Sequence, residues 1–292
     1  MSDLCEESFL LTTPSGTPLR GDVRWDNGLT QGGGKLLPVV VLCHGFKAFK
    51  DWGPFPEIGR SFARNGFCSI TINFSHNGIG EEPRKFVEHE KFARNTISLE
   101  IEDVKTVVAA IRAGAFTKAS ADVNGVFLVG HSRGGGVCLV AGKEEREVRG
   151  VAAWSTIARF NRYTDEQKAR WREKGHIQLH SVSSQKLFRI STDLLDDIER
   201  NAERFDLVGV TGTLGKPLLI IHGTADIPAK IEEAEQLFAA SDKTLTEFIR
   251  LEGAGHMYGA KHPYTERSAT LEHVIEITSH WIHQHYHSEV RP

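Results

Sequence analysis

The sequence has no charge excess, no long apolar run and few cysteines, and each shortage closes off a class of function. Lys and Arg number 35 against 38 Asp and Glu, a formal net charge of −3, so there is no basic footprint for nucleic acid or an anionic membrane. No apolar stretch approaches the ~20 residues that cross a bilayer. The opening segment has acidic residues before Ser8-Phe9-Leu10-Leu11 and lacks the basic region and apolar core of a secretory signal. The four cysteines, Cys5, Cys43, Cys68 and Cys138, show no zinc-site spacing and read as reduced thiols of a cytoplasmic protein. His280, His283, His285 and His287 sit on a closing helix that runs into the tail and read as surface side chains, so no metal is expected.

What is present is a regular alternation of apolar runs and amphipathic segments. With 40% hydrophobic and 25% charged residues over 292 positions, the chain suits one large α/β domain with an insertion, or two modest domains. Phe9 to Arg24 reads as two strands around the Pro14-Ser15-Gly16 turn, and Asp26 to Lys35 as a glycine-rich loop. Val39 to Cys43, Cys68 to Phe74, Val126 to Val129, Val148 to Ala153, Lys216 to Ile221 and Thr246 to Leu251 read as strands, several of them apolar on both faces. Between them lie helices at Phe55 to Arg64, from Ile97 to Gly114, at Ile231 to Ala240 and at Ser268 to about His283. This alternation predicts a mostly parallel central sheet flanked by helices.

One connection is too long for an ordinary crossover. After the strand ending at Ala153, Thr164-Asp165-Glu166-Gln167 signals a capping box for a helix reaching Gly175. A hairpin around Ser183-Ser184 and a second amphipathic helix from Leu194 to Phe205 follow. We read 159–211 as a small inserted cap and 1–158 with 212–292 as the core.

The chemistry centres on Gly130-His131-Ser132-Arg133-Gly134, a G-x-S-x-G turn between an apolar strand and a small-residue helix. That setting exposes a serine hydroxyl beside a helix N-terminus. A serine needs a base, and the base needs a group to fix its tautomer. Gly253-Ala254-Gly255-His256 places a histidine after the last strand, and His222-Gly223-Thr224-Ala225-Asp226 places a carboxylate after the strand before it. The order Ser132, Asp226, His256 fits a nucleophile, acid and base gathered at the sheet's C-terminal edge. The Arg133 N–H and the Phe46 N–H, after the His44-Gly45 turn, are the expected oxyanion donors; His44 reads as structural.

With these motifs the sequence resembles the α/β-hydrolase superfamily. More narrowly, the cap and the loop Phe74-Ser75-His76-Asn77-Gly78 are similar to bacterial feruloyl and cinnamoyl esterases and to serine-aminopeptidase-like hydrolases. The resemblance implies an α/β-hydrolase fold, hydrolysis of small or aryl carboxylic esters through an acyl-enzyme, no cofactor, and a small-molecule ester as partner. Two other readings stand beside it: an aminopeptidase or acyltransferase using the same triad, with Glu81, Glu82 or Asp193 as an amine anchor, and a non-catalytic ligand-binding protein on the same fold. Trp154, Phe160, Tyr163, Trp171 and Phe188 are candidate substrate contacts, as are Asp51 and Trp52. Arg133 stands where many relatives carry Gln or Met, and its guanidinium lies either near the pocket or in a salt bridge turned away from it.

Overall fold

Apolar runs pair into the centre of the molecule, and the strand ends decide where the polar loops gather. The computed structural model describes residues 3–30, 35–181 and 186–287; the middle of the glycine-rich loop and the Ser183-Ser184 turn lie outside them. Among the described residues ten strands form in chain order: β1 (Leu4–Thr12), β2 (Pro18–Asp26), β3 (Leu37–Cys43), β4 (Cys68–Ile72), β5 (Ala121–His131), β6 (Val148–Trp154), β7 (His176–Ser181), β8 (Lys186–Ser191), β9 (Leu218–Gly223) and β10 (Thr246–Leu251). Eight of them make one sheet in the order β1-β2-β4-β3-β5-β6-β9-β10. β1 and β2 are joined by the Thr13 to Thr17 turn and pair antiparallel, as do β2 and β4; every other pair is parallel.

The helices are α1 (Phe55–Arg64), α2 (His89–Ala93), α3 (Ile97–Arg112), α4 (Arg133–Glu144), α5 (Asp165–Lys174), α6 (Asp193–Arg200), α7 (Leu207–Gly212), α8 (Ile231–Ala240) and α9 (Ala269–His287). Because strand side chains alternate faces, Val39, Val41 and Leu128 pack with α3, α4 and α8, while Val40, Leu42, Phe127 and Val129 pack with α1 and α9. Both faces are therefore apolar, which is why these strands read as continuous hydrophobic runs.

The insertion between β6 and β9 contains α5, the antiparallel β7–β8 hairpin, α6 and α7. Thr164 and Gln167 form the expected capping box, and Gly175 closes α5 in the left-handed conformation. Trp171 fills the space between α5 and the hairpin, its indole N–H donating to Ile190 O at 3.1 Å. Several polar ties hold this insertion to the core, among them Arg204, whose guanidinium donates to Glu144 of α4 at 2.6 and 2.9 Å. Asp197 of α6 accepts from Ser98 N and Oγ at the start of α3, at 2.9 and 2.5 Å. Glu233 of α8 accepts from Ala158 N at 2.9 Å and from Arg162 at 2.7 Å. The expected boundary at 211/212 falls inside α7, which packs on α4 and α8.

Candidate active site

Ser132 follows β5 and caps α4 with φ 56° and ψ −122°, a backbone conformation that a serine holds only when its surroundings force it. Its N–H donates to Trp154 O at 2.9 Å and its carbonyl accepts from Gly135 N at 3.0 Å. The turn also needs a chain without side chains at its waist: a Cβ on Gly130 would stand 2.3 Å from Gly134 O. Arg133 is the first residue of α4, so its N–H has no acceptor within the helix, and the helix dipole adds positive potential there. The loop after β3 comes against the same point, since a Cβ on Gly45 would lie 3.0 Å from Ser132 Cβ. Phe46 follows in a turn closed by Ala48 N to Gly45 O at 3.2 Å, with Lys47 left-handed at φ 64°.

Asp226 and His256 meet at the ends of β9 and β10. The His256 Nδ1–H donates to Asp226 at 2.8 Å (Oδ2) and 3.0 Å (Oδ1), which makes Nε2 the basic nitrogen. Burial alone would raise the Asp226 pKa, but the hydrogen bond from His256, its charge and the Ala229 N–H hold the carboxyl below its ordinary value. Beneath it, His222 is fully buried and donates from Nε2 to Ala229 O at 2.7 Å. The His131 ring lies 4.7 Å from that of His256, and His131 donates from Nε2 to His256 O at 2.8 Å. Burial, then the neighbouring His256, takes the His131 pKa down to about 3, so it is a neutral donor at working pH.

His44 is structural, as expected. Its Nδ1–H donates to Gly45 O at 2.8 Å, and Nε2 accepts from Phe74 N and Asn77 Nδ2 at 3.3 Å each. Burial holds its pKa near 4. Arg133 forms an ion pair with Glu100 of α3 while its guanidinium lies 4.1 Å from the Phe46 ring centre.

The substrate-contact candidates separate. Trp154 is corrected: it shares a face with Ala152, packs against Phe62 and Tyr258, and donates to Thr278 Oγ1 of α9 at 3.0 Å. The insertion packs on the opposite face, so Trp154 is core. Trp171 is also core, the filling of the insertion itself. Phe160 is buried beside Phe205 and Gly136, and Phe188 beside Phe86 and Phe92. Tyr163, partly buried, packs edge-on against Trp171 at 4.9 Å. Trp52 stacks on His262 at 5.3 Å, and Asp51 and His262 line a cleft of about 460 Å³ with Arg60, Arg84 and Arg267. Glu81, Glu82 and Asp193 pair with Arg20, Lys85 and Arg94 on the surface. No group of metal-ligating side chains occurs among the described residues, and His283 instead contacts Asn65 O at 2.8 Å.

A family model for the alpha/beta hydrolase fold matches residues 38–175, the stretch holding the β3 loop and the elbow. Together with the sheet order, that match decides the architecture. The chain has the α/β-hydrolase fold. A phospholipase A1 from Solenopsis invicta is 26% identical over 114 residues, covering 38% of this chain and 32% of that protein, so the match spans about a third of the relative's length. Among solved structures, Est1E from Butyrivibrio proteoclasticus with ferulic acid bound is 14% identical with a TM-score of 0.68, covering 96% of this chain and 100% of that one. An esterase domain from Rhodothermus marinus (18%, TM-score 0.63, covering 96% and 98%) and a monoacylglycerol lipase from Paleococcus ferrophilus (18%, TM-score 0.62, covering 97% and 99%) share the architecture.

Sequence spacing assigns no role to three buried side chains, His131, Glu100 and Asp103. His131 was passed over inside its own motif. Glu100 and Asp103 lie on the buried stripe of α3 with Ile97, Ile101 and Val104, and a carboxylate on an apolar stripe was the available signal.

Proposed function

We propose that the protein is a serine hydrolase of carboxylic esters. The observation that carries the reading is the Asp226–His256 hydrogen bond at 2.8 Å, set at the same sheet edge as a serine held at φ 56°. In this reading Ser132 Oγ attacks the ester carbonyl as its proton passes to His256 Nε2. Asp226 keeps Nδ1 protonated and stabilises the imidazolium. The oxyanion is met by the amides of Phe46 and Arg133, and the proton then goes to the departing alkoxide as the C–O bond breaks. Water attacks the acyl-enzyme with His256 again as base, releasing the acid and restoring Ser132. No cofactor takes part.

We further propose small or aryl acyl groups as substrates. Ferulic acid bound to a protein of the same fold supports that chemistry. The four free thiols favour a reducing compartment, and we propose the cytoplasm; among the described residues no helix is long and apolar enough to cross a membrane.

The test is a fluorophosphonate probe with mass spectrometry of the labelled peptide, beside turnover of p-nitrophenyl and hydroxycinnamate esters. Label on Ser132 with ester turnover is the expected result. Folded protein that neither labels nor hydrolyses any ester would overturn the reading, and preference for amino-acid amides would replace it with the aminopeptidase.

A further inference from the structure

Arg133 presents a charge in an unusual position. Its side chain is 13% exposed, and that of its partner Glu100 is 2% exposed. A charged pair so far from water is held by additional contacts or is lost to neutral alternatives. Here the contacts are specific. Glu100 Oε1 accepts from Arg133 Nη2 and also from Asn95 Nδ2 at 2.7 Å, so the carboxylate is fixed to α3 and to the loop before it.

The other side of the guanidinium meets an aromatic ring, with Cζ 4.1 Å from the centre of Phe46. Lys47 also approaches that ring, at 5.7 Å, a distance at the edge of cation–π range. Phe46 in turn stacks on Phe92 of α2 at 5.8 Å with the planes 16° apart, and Phe92 meets Phe188 of β8 at 5.0 Å. The side chains of Phe46 and Arg133 therefore touch each other, and these are the two residues whose backbone amides are assigned to the oxyanion. They come from different elements: Phe46 from the loop after β3, Arg133 from the start of α4.

An oxyanion hole works by preorganisation, because its donors must stand where charge develops before it develops. The helix holds one amide rigidly. The other lies in a turn that includes left-handed Lys47, a conformation that disfavours itself and must be maintained by its neighbours. We infer that the Glu100–Arg133 ion pair is a positioning device that fixes the oxyanion hole by clamping the Phe46 ring against α4. Arg133 thus contributes twice, its amide directly and its guanidinium through Phe46. Glu100 is a positioning residue that touches no substrate.

This inference rests on the serine-hydrolase reading, and the experiment separates the two. Wild type, R133M and E100Q are checked for fold by circular dichroism. Ester kinetics are then measured, with inhibition by an aryl trifluoromethyl ketone, which forms a tetrahedral oxyanion on Ser132, and by its unreactive methyl ketone counterpart. Both variants are expected to lose about 10-fold or more in kcat with KM nearly unchanged, and to lose trifluoromethyl ketone affinity by the same factor. Methyl ketone binding stays at the wild-type value. A purely structural ion pair would lower thermal stability without that parallel loss.

Folded R133M with kcat and trifluoromethyl ketone affinity within about twofold of wild type overturns the inference. A rise in KM at constant kcat also overturns it, because the guanidinium would then be binding substrate. Should E100Q fail to fold, R133M decides alone, since that side chain is partly exposed and begins a helix. Wild type that neither turns over esters nor labels removes the hydrolase reading and this inference together.

Discussion

At the scale of the residue, the site depends on few atoms. Ser132 sits in a backbone conformation that few residues hold, and substitution by Ala removes the proposed nucleophile while leaving the elbow in place. S132A is expected to lower kcat by on the order of 10⁶ with an unchanged circular dichroism spectrum; retention of wild-type turnover would show another nucleophile. His131 matters through its proton. It donates from Nε2 to His256 O, so replacement by Leu leaves that carbonyl short of a partner and frees the loop that carries the base. H131L is expected to reduce kcat by about 10-fold, since loss of one well-placed hydrogen bond is worth ~1–1.5 kcal/mol. Steady-state kinetics on a p-nitrophenyl ester would show it, and an unchanged kcat would remove His131 from the machinery.

At the scale of the element, the ties between insertion and core can be cut singly. Asp197 of α6 accepts from both the N–H and the hydroxyl of Ser98, and D197A leaves that N–H at the start of α3 without its acceptor. The expected cost is about 1–3 kcal/mol, with faster proteolysis between α5 and α6 and a higher KM. Unaltered proteolysis and KM would mean that the insertion is held elsewhere. This scale was also the most legible in the sequence. The apolar run of β3 and the stop signal Asn65-Gly66 of α1 located these elements closely because both faces of β3 are covered and the helix stripe is wide. The same two-faced burial hid Trp154: from Gly150 to Trp154 β6 has no polar side chain, and such a pattern does not reveal which face a side chain takes. α2 was missed because five residues carry less than two turns of periodicity. The pairings of Glu100 with Arg133 and His131 with His256 join residues far apart in the chain, so spacing held no record of them. The Asp226–His256 contact was legible because each residue follows its own strand at one sheet edge.

At the scale of the whole molecule, opposing buried groups shape stability against pH. Burial holds His44 and His131 near pKa 4 and 3, and lowers His222. Unfolding restores these groups to about 6.5, so the unfolded chain binds more protons below that pH and stability falls on acidification. Asp103 acts in the other direction. Burial lifts it to about 8 despite hydrogen bonds from Ser75, with Glu100 and Glu102 adding to the rise. The folded state then holds a proton that the unfolded state has lost, and stability falls as pH rises from about 4 to 8. Thermal melts are expected to peak near pH 6.5. D103N, which keeps an acceptor for the Ser75 N–H, should flatten the alkaline limb and leave the acid limb in place. A profile flat from pH 4.5 to 8 would contradict both assignments.

The neighbouring positions of β6 and β9 have a consequence for how such a protein changes over time. The chain leaves the sheet at one strand and rejoins it at the next, so a plain crossover would complete the same hydrogen-bond ladder. The material between them can be lengthened, trimmed or exchanged at little entropic cost to the core. A graft that retains Arg162 to meet Glu233 and a carboxylate to meet Ser98 would seat in the same place. The insertion is therefore free to drift as a cassette, while the strands that carry Ser132, Asp226 and His256 stay under a separate and stricter constraint.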